Sequence, residues 1–395
     1  MKFIAILSAI LVVTLASDHN QQHQAGWFRQ NIRTKTQISS SSSSSESDEQ
    51  FPKILKTKIY NSDRCILVPE PTSDEINEYH QWAEQQDKQY SSEAEESCRM
   101  INVIYKLRDI HAHNKRFDEG KETFKRALNH LSDLTRKEFK TKLLLKETRD
   151  KILPQSNVQN LPEFPDPRPS VDYRNENLVS PVGQQGRCGC CWAWSAAAVI
   201  EGQLRKCGIT SESVSTQNML DCVAKTYDGC AGGNPYEAFS YEKTGGIVTA
   251  AKYPYAAKQN QCVYNKNDII AYVDQSFRHI FKKSPHVEPY MRKIVSSVGP
   301  ISAVIYANKN FQDYASGVYS STDCNNSLPN HAVTIVGYGT DPNFGDYWLL
   351  KNSWSNKWGE NGFGRVARGK NMCLIESRVY YAQITDQNRN VCKLS

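Results

Sequence analysis

Nowhere does the 395-residue chain hold the roughly 20 consecutive apolar residues that a membrane-spanning helix needs. It also lacks any Lys/Arg cluster longer than a pair such as Lys282-Lys283, and it has no internal repeat. The first two absences argue against a membrane anchor and a nucleic-acid partner. The low hydrophobicity of a wholly disordered chain is missing too, since 39% of residues are hydrophobic and 23% charged, which is material for about two compact domains. Twelve cysteines are too few for a small scaffold held only by bridges and many for a cytosolic enzyme.

Redox compartment therefore rests on the N-terminus. Lys2, an apolar run from Phe3 to Val13 and small residues up to Ala16 form a secretory signal peptide over 1–16. Export leads to an oxidising lumen, either a lysosome-like compartment or the extracellular space. Residues 17–70 hold seven serines from Ser39 to Ser45 and read as a polar linker. Over 71–165 the chain is helical in pattern: Ser92 and Glu95 have capping-box spacing, and Met100, Val103, Ile104, Leu107 and Ile110 recur at helical period up to His113-Asn114. Pro162, Pro165, Pro167 and Pro169 then mark an exposed connector where proteases cut.

The region 166–395 is a second domain, rich in Gly, Tyr, Trp and Cys. From Arg168 on it holds 24 Lys+Arg against 18 Asp+Glu, while the rest of the chain is balanced. A helix is expected over Cys191–Lys206 with Gly208 as its stop, and strands over 331–338, 346–352 and 362–367. The densest chemical signal is the glycine-rich run Gly183 to Trp194, which delivers Cys191 onto the first turn of that helix. Helix-start N–H groups favour a thiolate and so a nucleophile. Of the domain's three histidines, His331 would sit on a strand, whereas His279 and His286 lie in a basic, irregular stretch. Asn352 and Trp354 offer an orienting amide beside a shielding indole. Cys188, Cys190 and Cys191 are too closely spaced for a structural zinc site, so no metal is expected.

With these residues the chain resembles a papain-like cysteine peptidase of the cathepsin L type, in zymogen form. His331 and Asn352 follow Cys191 by 140 and 161 residues in the family's order. The resemblance implies an α+β, two-lobed fold behind a helical inhibitory pro-domain. It makes Cys191 the nucleophile, His331 the base and acid, Asn352 its orienting group, Gln185 the oxyanion-hole side chain and Trp354 the indole over Asn352. Gly232 and Gly233 would lie along the substrate backbone, where a side chain would block its approach. Arg378 would form the floor of the main specificity pocket, with Asn234, Pro235, Tyr236, Val304 and Ala332 as walls. Implied bridges are Cys188–Cys230, Cys222–Cys262 and Cys324–Cys373. Cys65–Cys98 and Cys207–Cys392 are further candidates, with free thiols as the alternative.

The pro-segment likeness is partial. Glu95, Arg99, Ile110 and Asn114 fit the family helix pattern while Val103 and Lys106 depart, and Ala127, Asn129, Leu131 and Asp133 stand where the family has Gly, Asn, Phe and Asp. Acid release of the segment is expected through carboxylates such as Asp133, which would salt-bridge the basic catalytic domain. Cys190, beside the nucleophile, departs from the usual small residue, and a vicinal disulfide with Cys191 would silence the enzyme. No His-bearing insertion lies between Cys222 and Cys230, which favours an endopeptidase over an exopeptidase. The remaining alternative is an inactive homologue acting as a secreted binding protein, which would be expected to lack one of the four catalytic side chains. Protein and peptide substrates and the chain's own pro-segment are the partners implied, with no cofactor and a monomeric state. A glycan is expected at Asn325, the single Asn-x-Ser/Thr site.

Overall fold

A computed structural model of the protein describes residues 69–145, 156, 158–224, 228–263, 265–324 and 328–384. The signal peptide, nearly all of the linker, Cys65, Asn325 and Cys392 lie outside the described residues. The chain divides into a unit ending at Tyr105 and a larger one beginning at Lys106.

In the first unit, helix α1 (Ser73–Gln85) starts on a full capping box: Thr72 Oγ1 accepts from the Glu75 N–H, and the Glu75 carboxylate accepts from the Thr72 N–H. Tyr79 and Trp82 are its buried side chains. Helix α2 (Glu93–Asp118), which continues past Tyr105 into the larger unit, begins at Ser92, whose Oγ accepts from the Glu95 N–H. The Glu95 carboxylate turns back to Ser91 instead of Ser92, so the expected box is only half formed. The helix also outruns the expected end at His113-Asn114. Those two side chains do not stop it; they reach out to hold the backbone of the next strand, at Phe124 and Arg126.

In the larger unit, β1 (Phe124–Arg126) leads to α3 (Arg136–Lys142), again with a Thr135/Glu138 capping box. After β2 (Val171–Asp172) come three helices, α4 (Cys191–Lys206), α5 (Thr216–Val223) and α6 (Pro235–Glu242). The Ala-rich α4 has a buried face that packs Trp192, Ala196, Val199 and Ile200 into one apolar cluster. The short strands β3 (Ile247–Val248) and β4 (Ile269–Ala271) pair with each other.

The remaining elements are β5 (Gln275–Ile280), α7 (Val287–Val298), β6 (Ile301–Ile305), α8 (Lys309–Gln312), β7 (Tyr314–Tyr319), β8 (His331–Asp341), β9 (Gly345–Lys351), β10 (Phe363–Ala367) and β11 (Arg378–Gln383). The main sheet runs β1-β7-β10-β9-β8-β6-β11-β5, with β2 against β8. Only β7 and β10 are parallel along this path. A second apolar cluster packs α7, through Met291, Ile294 and Val295, against this sheet. His279 departs from expectation. It lies buried in β5, beside Phe281 and Tyr381, and burial lowers its imidazole to about 4.

Candidate active site

Cys191 is the first residue of α4 and His331 the first of β8, so each is fixed by the start of a regular element. Both are fully buried, as is Gln185, and Asn352 is nearly so. The Asn352 carboxamide is oriented by chemistry: its Oδ1 accepts from the Ser353 N–H at 2.8 Å, so the His331 Nε2 that meets it at 2.8 Å must carry the proton. Nδ1 is then the free lone pair of the ring, and it makes no hydrogen bond within the protein. The Ala332 N–H donates to Cys191 Sγ at 3.3 Å. Trp354 does not simply cover Asn352. Its indole lies face to face with the imidazole, centroids 4.4 Å apart, and its N–H donates to Gln185 Oε1.

Burial sets the charges. Loss of water pushes the Cys191 thiol up to about 12, outweighing the backbone N–H groups of the helix start. The expected lowering at a helix N-terminus is therefore overridden in this state of the chain. His331 is lowered to about 4 by the same desolvation, against the pull of Asn352. Thiol and imidazole are both neutral at pH 7.

The cover is the pro-segment. Gln185 Nε2 donates to the Leu143 carbonyl at 2.9 Å and to Cys188 O at 2.8 Å. Leu145 N–H donates to Asn330 O, and Phe139 stands edge-on to Trp354. Further back, β1 adds to the edge of β7. The ion pairs there include one of opposite sense to that expected: Arg126 of the pro-segment, 3% exposed, binds Asp313 at 3.1 Å and Asp109 at 2.9 Å. Burial works to raise the Asp109 carboxyl, but Arg126 and Lys309 outweigh it and hold it below the usual range. Asp133 is buried as well, and its charge acts on Lys106 of the pro-segment itself.

Arg126→Met is expected to weaken the cover, because it takes the nearer of two cations from buried Asp313 and leaves only Lys106 at 3.7 Å. The upper bound is about 3–5 kcal/mol, the cost typical of a fully broken buried pair. Processing at acid pH should speed up, and adding Asp313→Leu should not restore the wild-type half-time, because buried Lys106 then loses its carboxylate. Equal half-times for all three chains would show that the pair does not hold the segment.

The profile of the papain family cysteine proteases matches residues 167–383, and that of the cathepsin propeptide inhibitor domain matches 79–139. The chain belongs to the papain family. Cathepsin K of Mus musculus is 38% identical over 312 residues, covering 77% of this chain and 91% of that protein. Cathepsin L of Sarcophaga peregrina is also 38% identical, over 78% and 92%. Among solved structures, digestive procathepsin L 3 of the Tenebrio molitor larval midgut superposes with a TM-score of 0.68 at 30% identity, covering 78% of this chain and 98% of that one. A recombinant stem bromelain precursor gives 0.67 at 29%, over 79% and 99%. The protein is thus a papain-like cysteine endopeptidase made as a zymogen with an inhibitory propeptide, on the α+β fold of the family.

Other expected site residues of this papain-family chain fall as follows. Gly233 lies on the Trp192 indole, where a Cβ would come within 2.3 Å of the ring. Its lack of a side chain is thus required from inside the protein, whatever approaches from outside. Asn234 spends its carboxamide capping α6, and Pro235 is the first residue of that helix. Val304 and Ala332 face each other across β6 and β8. Arg378, half-buried, starts β11. A second base was not read from the sequence: Arg278 lies over the Tyr236 ring at 4.9 Å. No sequence feature marked it, since its place rests on a strand pairing with β11 that only the structure shows.

Cys188–Cys230, Cys222–Cys262 and Cys324–Cys373 are bonded. Cys98 and Cys207 are each in a disulfide as well. Cys190 and Cys191 are both free thiols, so the vicinal bridge is not formed. Cys190 instead meets Tyr255 Oη at 2.9 Å, and that hydroxyl donates to the Gln185 carbonyl. The Cys190 S–H is therefore the donor to Tyr255. Among the described residues no group of His, Cys, Asp and Glu could hold a metal ion, and no helix is long and apolar enough to cross a membrane.

Proposed function

We propose that Cys191 attacks the scissile carbonyl, that His331 accepts the thiol proton at Nδ1 and passes it to the leaving amine, and that Asn352 holds the imidazole for both steps. The observation that carries this reading is the His331–Asn352 hydrogen bond, which leaves Nδ1 as a base at the start of β8, beside an Ala332 N–H that already holds Cys191 Sγ. Gln185 supplies an amide N–H to the developing oxyanion, together with the backbone N–H of Cys191. A thioester forms as the amine leaves; water, deprotonated by His331, then releases the acid and restores the thiol. The pro-segment acts within its own molecule, its Leu143 carbonyl accepting from the donor meant for substrate. We place the mature enzyme, a monomer of residues from about 166 on, in a lysosome-like or extracellular compartment.

Incubation of the zymogen at acid pH with reductant and an epoxysuccinyl label tests the assignment by peptide mass mapping. Label on Cys191 of a shortened chain is expected. Label on Cys190 would move the nucleophile, and no label in folded protein would favour an inactive binding protein.

Arg378, with Arg278 near Tyr236, gives the specificity pocket a basic side. Substrates with Glu two residues before the cut should be cleaved beside those with Leu. Arg378→Ser should lower kcat/KM for Glu relative to Leu by about tenfold, the scale of one charged hydrogen bond. An unchanged Glu/Leu ratio would assign Arg378 a purely structural place.

A further inference from the structure

The pro-region holds the catalytic unit at a second place, through Ser156 and residues 158–168. β5 is the last strand of the main sheet, so among the described residues its outer edge pairs with no strand. Ser156 closes that edge at Ile280: its N–H donates to the Ile280 carbonyl at 2.7 Å, and its Oγ accepts from the Ile280 N–H at 3.3 Å. The chain then crosses to α7. The Tyr290 hydroxyl donates to the Pro162 carbonyl at 3.1 Å, Asp166 meets Lys293 at 3.1 Å, and the Arg168 N–H donates to Ser296 Oγ at 3.1 Å. Tyr290, Lys293 and Ser296 step along the helix at three-residue intervals, and the segment follows them in order.

The segment buries every third residue. Val158, Leu161 and Phe164 are half-buried and pack on the apolar cluster of the main sheet, while the residues between them and Pro165 are exposed. Three residues make one turn both of the 3₁₀ helix at Val158–Asn160 and of the extended chain around Pro162 and Pro165, so the period holds along the whole segment. Their bed is aromatic. Phe164 lies against Tyr290 with ring centroids 6.0 Å apart, and Tyr290 meets His279 and Phe281 edge-on at 6.2 and 6.3 Å. None of these contacts involves Cys191, Gln185, His331 or Asn352.

Cleavage near residue 166 takes Ser156, Val158, Leu161 and Phe164 away. It leaves the Ile280 backbone groups at a sheet edge beside an uncovered Tyr290, and unpaired ladder groups next to an apolar bed are what an extended peptide binds. We propose that this strip is an exosite of the mature enzyme, taking an extended segment of a protein substrate that carries apolar side chains at every third position. The proposal rests on the reading that maturation removes the pro-segment. The chemistry of the occupant is read from the segment that lies there in the zymogen: two hydrogen bonds at the β5 end, an acceptor carbonyl for Tyr290, and an aromatic residue at the α7 end. A hold at this strip, outside the cleft, keeps the rest of the substrate chain near Cys191 at a raised local concentration.

A fluorescein-labelled peptide of residues 155–165, followed by fluorescence polarisation, tests the exosite on full-length chains carrying Cys191→Ala, which keep the cleft covered. The parent chain, its strip filled by its own segment, is expected not to bind. Leu161→Ser/Phe164→Ser, which frees the strip, should bind saturably, and adding Tyr290→Phe should weaken that several-fold by removing one hydroxyl. Processed wild-type enzyme blocked at Cys191 by the epoxysuccinyl label should bind as well. A probe with Phe164→Ala should bind it at least about tenfold more weakly, the scale of an aromatic anchor. Binding to the parent chain as tight as to the double variant, or no saturable binding by either the double variant or the processed enzyme, would overturn the exosite. So would processed enzyme whose N-terminus lies before Val158, or which keeps the excised segment through gel filtration, since the strip then has a permanent occupant. Linking residues 155–165 to a peptide substrate by a Gly/Ser spacer should lower KM several-fold at unchanged kcat; an unchanged KM would overturn the role in substrate binding. The full-length chains need no activity, so failure of the catalytic assignment would be seen separately, as peptide hydrolysis surviving in Cys191→Ala.

Discussion

Cys191→Ala should lower peptide hydrolysis by at least about four orders of magnitude while the chain stays folded. Residues that act as a unit in covalent catalysis lose nearly everything when one is removed, and the nucleophile most of all. The substitution removes only a sulfur, from a position whose contacts are the Ala332 N–H and the packing of the α4 start. Cavity costs are correspondingly small. The purified variant should also remain at full length in acid if the enzyme processes itself, which a gel and kcat/KM for a peptide substrate would show together. Processing at the wild-type rate would assign maturation to another protease. Hydrolysis at more than a trace would remove Cys191 as nucleophile.

Acid should loosen the pro-segment by about a hundredfold between pH 6.5 and pH 4, and His331 should account for most of the change. Burial lowers the imidazole to about 4. Departure of the pro-segment from neighbouring Gln185, Asn330 and Trp354 is expected to return water to it, so in this window the uncovered state should bind a proton that the covered state does not. Stability of the cover therefore rises with pH and is lost on acidification, by up to about 3 kcal/mol. His113 of the pro-segment, lowered by burial too, adds to the same trend at the contact of α2 with β1, away from the cleft. The remaining shifted groups act in other ranges or places. Cys191, raised to about 12, weakens the cover only as pH climbs above 9, and Asp109, held low, contributes a loss only below the usual carboxylate range. His279 titrates in the same window but lies among Phe281, Tyr290 and Tyr381, away from the cover.

Hydrogen exchange of the Leu143 and Leu145 amides, in the Cys191→Ala background and corrected for intrinsic rates, measures this directly. Adding His331→Gln, which cannot titrate, should flatten the profile. A profile unchanged by that substitution would transfer the sensor to other groups.

What could be read from the sequence was whatever a contiguous run encodes. The alanines after Cys191 and the β-branched alternation after His331 specify a helix and a strand locally, and each carries the side chain proposed to react at its first position. Helix α1 escaped because its apolar residues are few among charges, although its Thr72/Glu75 box was there to be seen. The pairing of Arg126 with Asp313, 187 residues apart, leaves no local trace. Neither do the Leu143 carbonyl at Gln185 or the indole of Trp194 on Gly183, since each depends on how distant segments meet. The mixed ionic sense has the same origin: Asp109 meets Lys309 in the expected direction and Arg126 meets Asp313 in the reverse one, because net charge describes a whole domain whereas single side chains decide each contact.

The position of the Leu143 carbonyl has a consequence for how errors in this protein would surface. With Gln185 in its proposed role, one carboxamide is inspected twice in the life of each molecule, first by the chain's own backbone during maturation and later by every substrate. A lesion there would produce an enzyme that is feeble and also badly guarded, open to trimming by its neighbours before it could do harm. Latency and competence would then fail together, and a population of such molecules would contain few that are active but unrestrained.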